Sequence, residues 1–245
     1  MTLRILAAAL VAAGPALAEP TVPDFAAADF TAPAENPYFP LAPGDPRVLA
    51  AEGVDADGER FTERFEQTNI GPGPVLLGVQ TMIQRDRAFE DGVLVEETLD
   101  YYAADSAGNV WYFGEDVVNY VYDAAGALVG TNAHSSWRSG VDGAMPGWIM
   151  PADPAVGLEY YQEIAKANDA LDQARIHALG TSVEIDGIGR LDDVLVTYET
   201  SALDPDLREF KYYAPGIGLI RADEGLSPAL DDPALIFTPR PGAAN

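Results

Sequence analysis

The feature that most constrains this chain is a run of short turns that carry an acidic residue and end in Gly. "EDG" falls at 90–92, "DSAG" at 105–108 and "DAAG" at 123–126, roughly sixteen residues apart. The segments between them are rich in Val, Tyr, Phe, Trp and Thr, the residues that suit a pleated, half-buried surface. Turns at this spacing predict a meander of long antiparallel strands. "IDGIG" at 185–189 adds another turn, and "RLDDVLVTYETSAL", "LREFKYYAPG" and "GIGLIRAD" read as three further strands. The total comes to about ten strands, and a sheet that large curls. The expected class is all-β with at most one helix: a large curved antiparallel meander closing into a barrel or half barrel. The one segment with an alternative is 158–179, "LEYYQEIAKANDALDQARIHAL", which reads either as a helix or as two strands about a turn at "KAND".

The ends of the chain differ from this middle. "MTLRILAAALVAAGPALAEP" places Arg4 before an apolar run that closes on Ala16-Leu17-Ala18, the pattern of a secretory signal cleaved after Ala18. That run is too short to span a bilayer, and no later stretch is long and apolar enough. The expected location is periplasmic or secreted. Residues 19–46 are rich in Pro, Ala and Asp and read as an arm that orders on contact, with the aromatics of "NPYFPL" docking on the domain edge. The organisation expected is a signal at 1–18, the arm at 19–46, one β domain at 47–224 and a C-terminal tail at 225–245.

Charge and cysteine content remove several function classes. The chain has no Cys, which excludes disulfides, thiolate metal sites and thiol catalysis. Of 14 basic residues, Arg4 lies in the signal, so the rest of the chain sets 13 basic against 39 acidic residues, a net of −26. Nucleic acid and anionic membrane surfaces would repel such a chain.

Turn positions also pair the strands. If Asp91-Gly92 is a two-residue turn, Arg85 faces Thr98. If Asp105–Gly108 and Asp123–Gly126 are four-residue loops, Tyr102 faces Trp111, Thr98 faces Glu115, Glu115 faces His134 and Trp111 faces Arg138. Arg85, Thr98, Asp100, Tyr102, Trp111, Glu115, His134 and Arg138 then share one face and form a candidate ligand-binding set. A slip of one residue would send any strand's members to the opposite face.

Three functions are compatible with that face. The favoured one is a non-enzymatic periplasmic binding or carrier module for a small or lipid-like molecule, because amphipathic aromatics line ligand cavities. A second is a small hydrolase or lyase using the His134/Glu115 pair as acid and base. A third is an acidic interaction protein without a cavity, the row being a neutralised salt-bridge network. No catalytic residue and no metal ligand is assigned. A divalent cation is the one cofactor the acidity leaves open, yet "DSAGNVWYFGED" and "VDADGERFTERFE" lack the ligand spacing of a calcium loop and read as hairpin turns. Two His are too few to argue for zinc.

"NPYFPL" at 36–41, "GNVWYFGED" at 108–116, "SGVDGAMPGWIMPADPAVG" at 139–157 and "KYYAPGIG" at 211–218 resemble motifs of a family of secreted bacterial all-β proteins of unassigned function. The resemblance spans about residues 36 to 222. It implies an exported all-β domain and supplies no catalytic residues. More loosely, a curved sheet closed by loops is similar to periplasmic lipoprotein-carrier folds and lipocalin-like barrels, a likeness of fold alone.

Overall fold

The computed structural model describes residues 19–55 and 57–240. The expected signal at 1–18, and residues 241–245 of the expected tail, lie outside them.

The described residues form an all-β fold. Its strands are β1 (Arg47–Val54), β2 (Arg60–Leu76), β3 (Val79–Glu90), β4 (Val93–Ala104), β5 (Val110–Tyr122), β6 (Leu128–Asn132), β7 (Trp137–Arg138), β8 (Met145–Met150), β9 (Glu159–Tyr161), β10 (Glu163–Ile164), β11 (Asp172–Ile185), β12 (Gly189–Ser201), β13 (Arg208–Ala214), β14 (Gly218–Glu224) and β15 (Leu235–Pro239). Thirteen run in one antiparallel order, β10-β8-β5-β4-β3-β2-β1-β15-β14-β13-β12-β11-β9, while β6 and β7 pair on β5. The sheet is nearly closed into a barrel. Short 3-10 turns at Ala27–Phe30 and Lys166–Asn168 are the helical elements of the described residues. The ambiguous segment 158–179 resolves as strands β9, β10 and β11 around the second of these turns.

β15 lies within the segment expected as a tail. It fits between β1 and β14, with Leu49 opposite Pro239 and Ala222 opposite Phe237, and so joins the N-terminal and C-terminal halves of the sheet. At the opposite seam, β8 approaches β9 without pairing to it. Gly147 makes that approach possible: a Cβ there would lie 2.3 Å from the Tyr161 carbonyl oxygen. Trp148 packs on Tyr160 across the same seam, with ring centroids 6.3 Å apart.

Two faces result. The outer face of β4–β5 carries Tyr101, Trp111 and Phe113, covered by Phe25 and Phe30 of the arm at centroid separations of 5.6–5.8 Å. The inner face carries Leu49, Tyr102, Tyr112, Leu195, Tyr213 and Phe237, the barrel's main apolar cluster. "NPYFPL" docks deeper than an edge contact. Phe39 enters this cluster edge-on to Tyr102 at 5.0 Å, while the Asn36 side chain donates to the carbonyls of Gly108 and Pro151. The arm thus caps one part of the barrel with an aromatic plug.

The turns close as their chemistry dictates. In three loops an Asp carboxylate, from Asp55, Asp105 or Asp123, accepts the backbone N–H groups two and four residues on. Each loop therefore ends one residue beyond its Gly: the Asp105 N–H donates to the Asn109 carbonyl and the Asp123 N–H to the Ala127 carbonyl. That extra residue corrects the four-residue loops expected from sequence.

Bulges shift the register further. Asp91-Gly92 is a two-residue turn, with Glu90 opposite Val93, but a bulge after Ala88 puts Arg85 opposite Leu99, and Thr98 opposite Asp86. On β5, Tyr102 faces Tyr112, and after a bulge Asp100 faces Glu115. Gly114 lies in that bulge at φ 130°, and a Cβ there would sit 2.3 Å from the Trp137 carbonyl oxygen. Glu115 faces Trp137, and Gly114 faces Arg138, not the His134 and Trp111 pairings expected.

Candidate functional site

The expected row separates into three places. Thr98, Asp100, Tyr102 and Glu115 belong to the inner face. Arg85, opposite Leu99, lies on the other pleat with Trp111 and Arg138. Arg138 donates to Asp116 on the outside and lies 5.4 Å over the Tyr101 ring. His134 sits exposed in the link between β6 and β7, away from inward-facing Glu115. The fold does not assemble the His134/Glu115 acid–base pair. Among the described residues no three His, Asp or Glu side chains group closely enough to hold a metal ion.

What the barrel does enclose is a cavity of about 340 Å³ lined by strands from both halves of the sheet. Its apolar wall includes Phe39, Leu49, Phe65, Leu219 and Phe237. Its polar wall includes Arg47, Gln84, Asp86, Asp100 and Lys211. A second chamber of about 150 Å³ adjoins it, with Tyr102, Ile149, Glu209 and Lys211 lining both. The smaller chamber adds Tyr112, Gln162, Glu163 and Asp172. Strand alternation explains the lining. On β13, Glu209, Lys211 and Tyr213 face inward, while Phe210 packs outward with Val194, Val196 and Ile220.

Lys211 is the pivot of the interior. Its Nζ lies 2.9 Å from Glu199 and 3.0 Å from Glu209. Burial pulls its ammonium down, but Glu199 and Glu209 more than offset this and hold it well above the usual lysine value. Its side chain is 28% open, and that surface faces the two chambers it lines. Arg47, also on the cavity wall, donates from Nη2 to Gln84 at 2.9 Å, whereas its Nε has no partner.

The remaining inner carboxyls have no cation within 4.0 Å among the described residues. Among them are Asp86, Asp100, Glu115, Glu163, Asp172 and Glu224. Burial pushes Asp86 up to about 7 against hydrogen bonds from Gln67 and Gln84, and its Oδ1 stays unpartnered. Burial also lifts Glu115 to about 7. Asp100 is raised well above its ordinary value by burial and by the charges of Asp86 and Glu115. Glu163 is raised by burial and by Glu115 and Asp172, and Asp172 by burial first.

One contact sets two carboxyls against a single proton. The Tyr112 hydroxyl lies 2.5 Å from Asp100 and 3.0 Å from Glu115. A phenol has a single proton to donate, so the second carboxyl bonds to it well only when that carboxyl is itself protonated. The hydroxyl donates toward both carboxyls but has one proton to give, so one of the two bonds is weak while both carboxyls are ionised.

Sequence reasoning missed Asp86, Gln162, Glu163, Asp172, Glu199, Glu209 and Arg47. The alternation of "EFKYY" carries a signal for Glu209 and Lys211, because residues two apart on a strand share a face.

The architecture is thus an antiparallel barrel, nearly closed, around a polar-lined cavity. No family model matches the chain, and no curated protein matches it. Two solved structures are similar in shape. One is a candidate exported protein with a YmcC-like fold from Bacteroides fragilis, 10% identical, aligned over 86% of this chain and 97% of its own, at a TM-score of 0.40. The other is a candidate lipoprotein from Parabacteroides distasonis, 11% identical, over 84% and 98%, at 0.36. Neither description names an activity. Among the described residues no helix is long and apolar enough to cross a membrane.

Proposed function

We propose that this chain is an exported, non-enzymatic binding protein that takes a small amphipathic molecule into its barrel. The observation that carries the reading is the cavity of about 340 Å³, with an apolar wall on one side and unpartnered polar atoms on Asp86 and Arg47. Ligand sites combine such apolar enclosure, typically ~300–1,000 Å³, with a few convergent polar groups. A cavity speaks for this reading over an acidic interaction protein without one. Export rests on Arg4, the apolar run and Ala16-Leu17-Ala18. Mass spectrometry of protein from the extracytoplasmic fraction should find Glu19 as the mature N-terminus; a chain retaining residues 1–18 there would contradict cleavage.

Titration with N-phenyl-1-naphthylamine, an uncharged probe that fluoresces in apolar surroundings, tests the cavity. Saturable binding at one probe per chain is expected. Ala88→Trp places an indole in the cavity that Ala88 lines and should abolish the signal with the β-sheet circular dichroism unchanged. Equal binding by the filled variant would contradict the reading.

A further inference from the structure

The smaller chamber has a chemistry of its own. Lys211 makes its close ion pairs with Glu199 and Glu209, so its charge reaches Glu163 and Asp172, which line the same space, only from a distance and against the larger cost of burial. Ionised carboxylates in such a place are costly unless a cation pairs with them. A second, independent feature points the same way. Gln162 is 3% exposed and lines the chamber, and its Nε2 has no hydrogen-bond partner. A buried amide N–H left without a partner is costly, and it calls for an acceptor atom on whatever fills the space. The larger, apolar lobe joins the chamber at Tyr102 and Ile149.

We propose that the smaller chamber is a site for the head of an amphipathic amino alcohol. Its ammonium pairs with Glu163 and Asp172, its hydroxyl oxygen accepts from Gln162, and its alkyl body lies in the larger lobe. The assignment rests on the binding-barrel reading above and names the ligand class for it. The chain's net charge of −25 favours approach of cations over anions. Burial raises both carboxyls and a paired ammonium would lower them again, so uptake strengthens with rising pH.

Displacement of N-phenyl-1-naphthylamine by three molecules of equal chain length tests this: 2-aminodecan-1-ol, decane-1,2-diol and decanoate, at pH 8 and pH 6. The amino alcohol should displace the probe at a concentration at least ~10-fold below the diol at pH 8, with the gap narrowing at pH 6. Decanoate should be weakest. Glu163→Gln with Asp172→Asn removes charge without changing shape. With the variant's own affinity for the probe measured first, amino alcohol and diol should displace the probe from it at equal concentrations. Equal displacement by amino alcohol and diol in the native protein would overturn the assignment while leaving the binding barrel intact. So would a preference for decanoate, which would give the head site to Lys211 and Arg47. Failure of the probe itself to bind would overturn both.

Discussion

Carboxylates on the two sides of this sheet lead different lives. On the outside, Asp116 receives both Arg138 and the Tyr101 hydroxyl, and Asp223 receives Arg221 through two nitrogens and the Tyr212 hydroxyl. Burial pushes Asp116 up, but those bonds outweigh it and hold the group below its ordinary value. On the inside, Asp86, Asp100, Glu163 and Asp172 line the two chambers and Glu115 lies opposite Asp100 on the same face, none of them with a cation within 4.0 Å among the described residues. A neutralised outer row is a structural network. An unneutralised inner one is either protonated or awaiting a positive partner. The sequence alone offered both descriptions for one face, and the structure assigns one to each side.

The largest expected effect lies where the interior is paired. Lys211→Met leaves Glu199, 4% exposed, and Glu209 without their cation. Removing one member of a buried pair costs about 3–5 kcal/mol, measurable by urea unfolding at pH 8. A loss under 1 kcal/mol would mean that water already solvates the pair.

Next comes a gain. Asp100→Asn keeps an acceptor for Tyr112 and removes a charge that burial disfavours. It should stabilise the ligand-free protein at pH 8, with the gain shrinking as pH falls toward 3.8, the ordinary aspartate value, where the unfolded carboxyl is protonated too.

Stability should follow pH with the sign of a raised acid. Glu115 and Glu224 stand at about 7 in the fold against an ordinary 4.5, with burial the main cause in each. Between those values the folded chain keeps protons the unfolded chain has lost. The favourable difference is complete at and below pH 4.5 for these groups and is lost as pH rises through 7. Thermal melts of the ligand-free protein should therefore show Tm falling from pH 5.5 to 8. A rising Tm over that window would mean that cations neutralise the interior.

The smallest effect belongs outside. Arg138→Ala breaks an exposed pair and should cost less than about 1 kcal/mol. It should also leave probe binding untouched. A larger loss would mean that the outer row braces the barrel.

The fold class was legible because turn chemistry repeats. Asp55, Asp105 and Asp123 each fold their own loops, and the β-branched and aromatic runs between such loops admit little but strands. The site was legible only in part. Two shifts of one residue, from the five-residue Asp105–Asn109 loop and the bulge at Gly114, cancel in parity. Glu115 therefore stays on the Thr98 side, while Trp111, which lies between the two shifts, turns outward. His134 fell outside because the chain leaves the ladder after Asn132 and rejoins at Trp137. Glu163 and Asp172 come from β10 and β11, on a seam that no hairpin rule connects to β4. Cross-barrel neighbours are set by closure, and closure depends on β15 and on the Gly147 approach, neither of which has a local signature.

The contrast between the two faces can be measured directly by carbon-13 NMR titration of the side-chain carboxyls in the ligand-free protein. Glu115, Asp86 and Glu224 should titrate near pH 7 and Asp116 below 3.8, the ordinary aspartate value. Midpoints near 4 for the three inner groups would contradict the account, because they would show an interior whose charges are already satisfied and a chamber with no call for a cationic ligand.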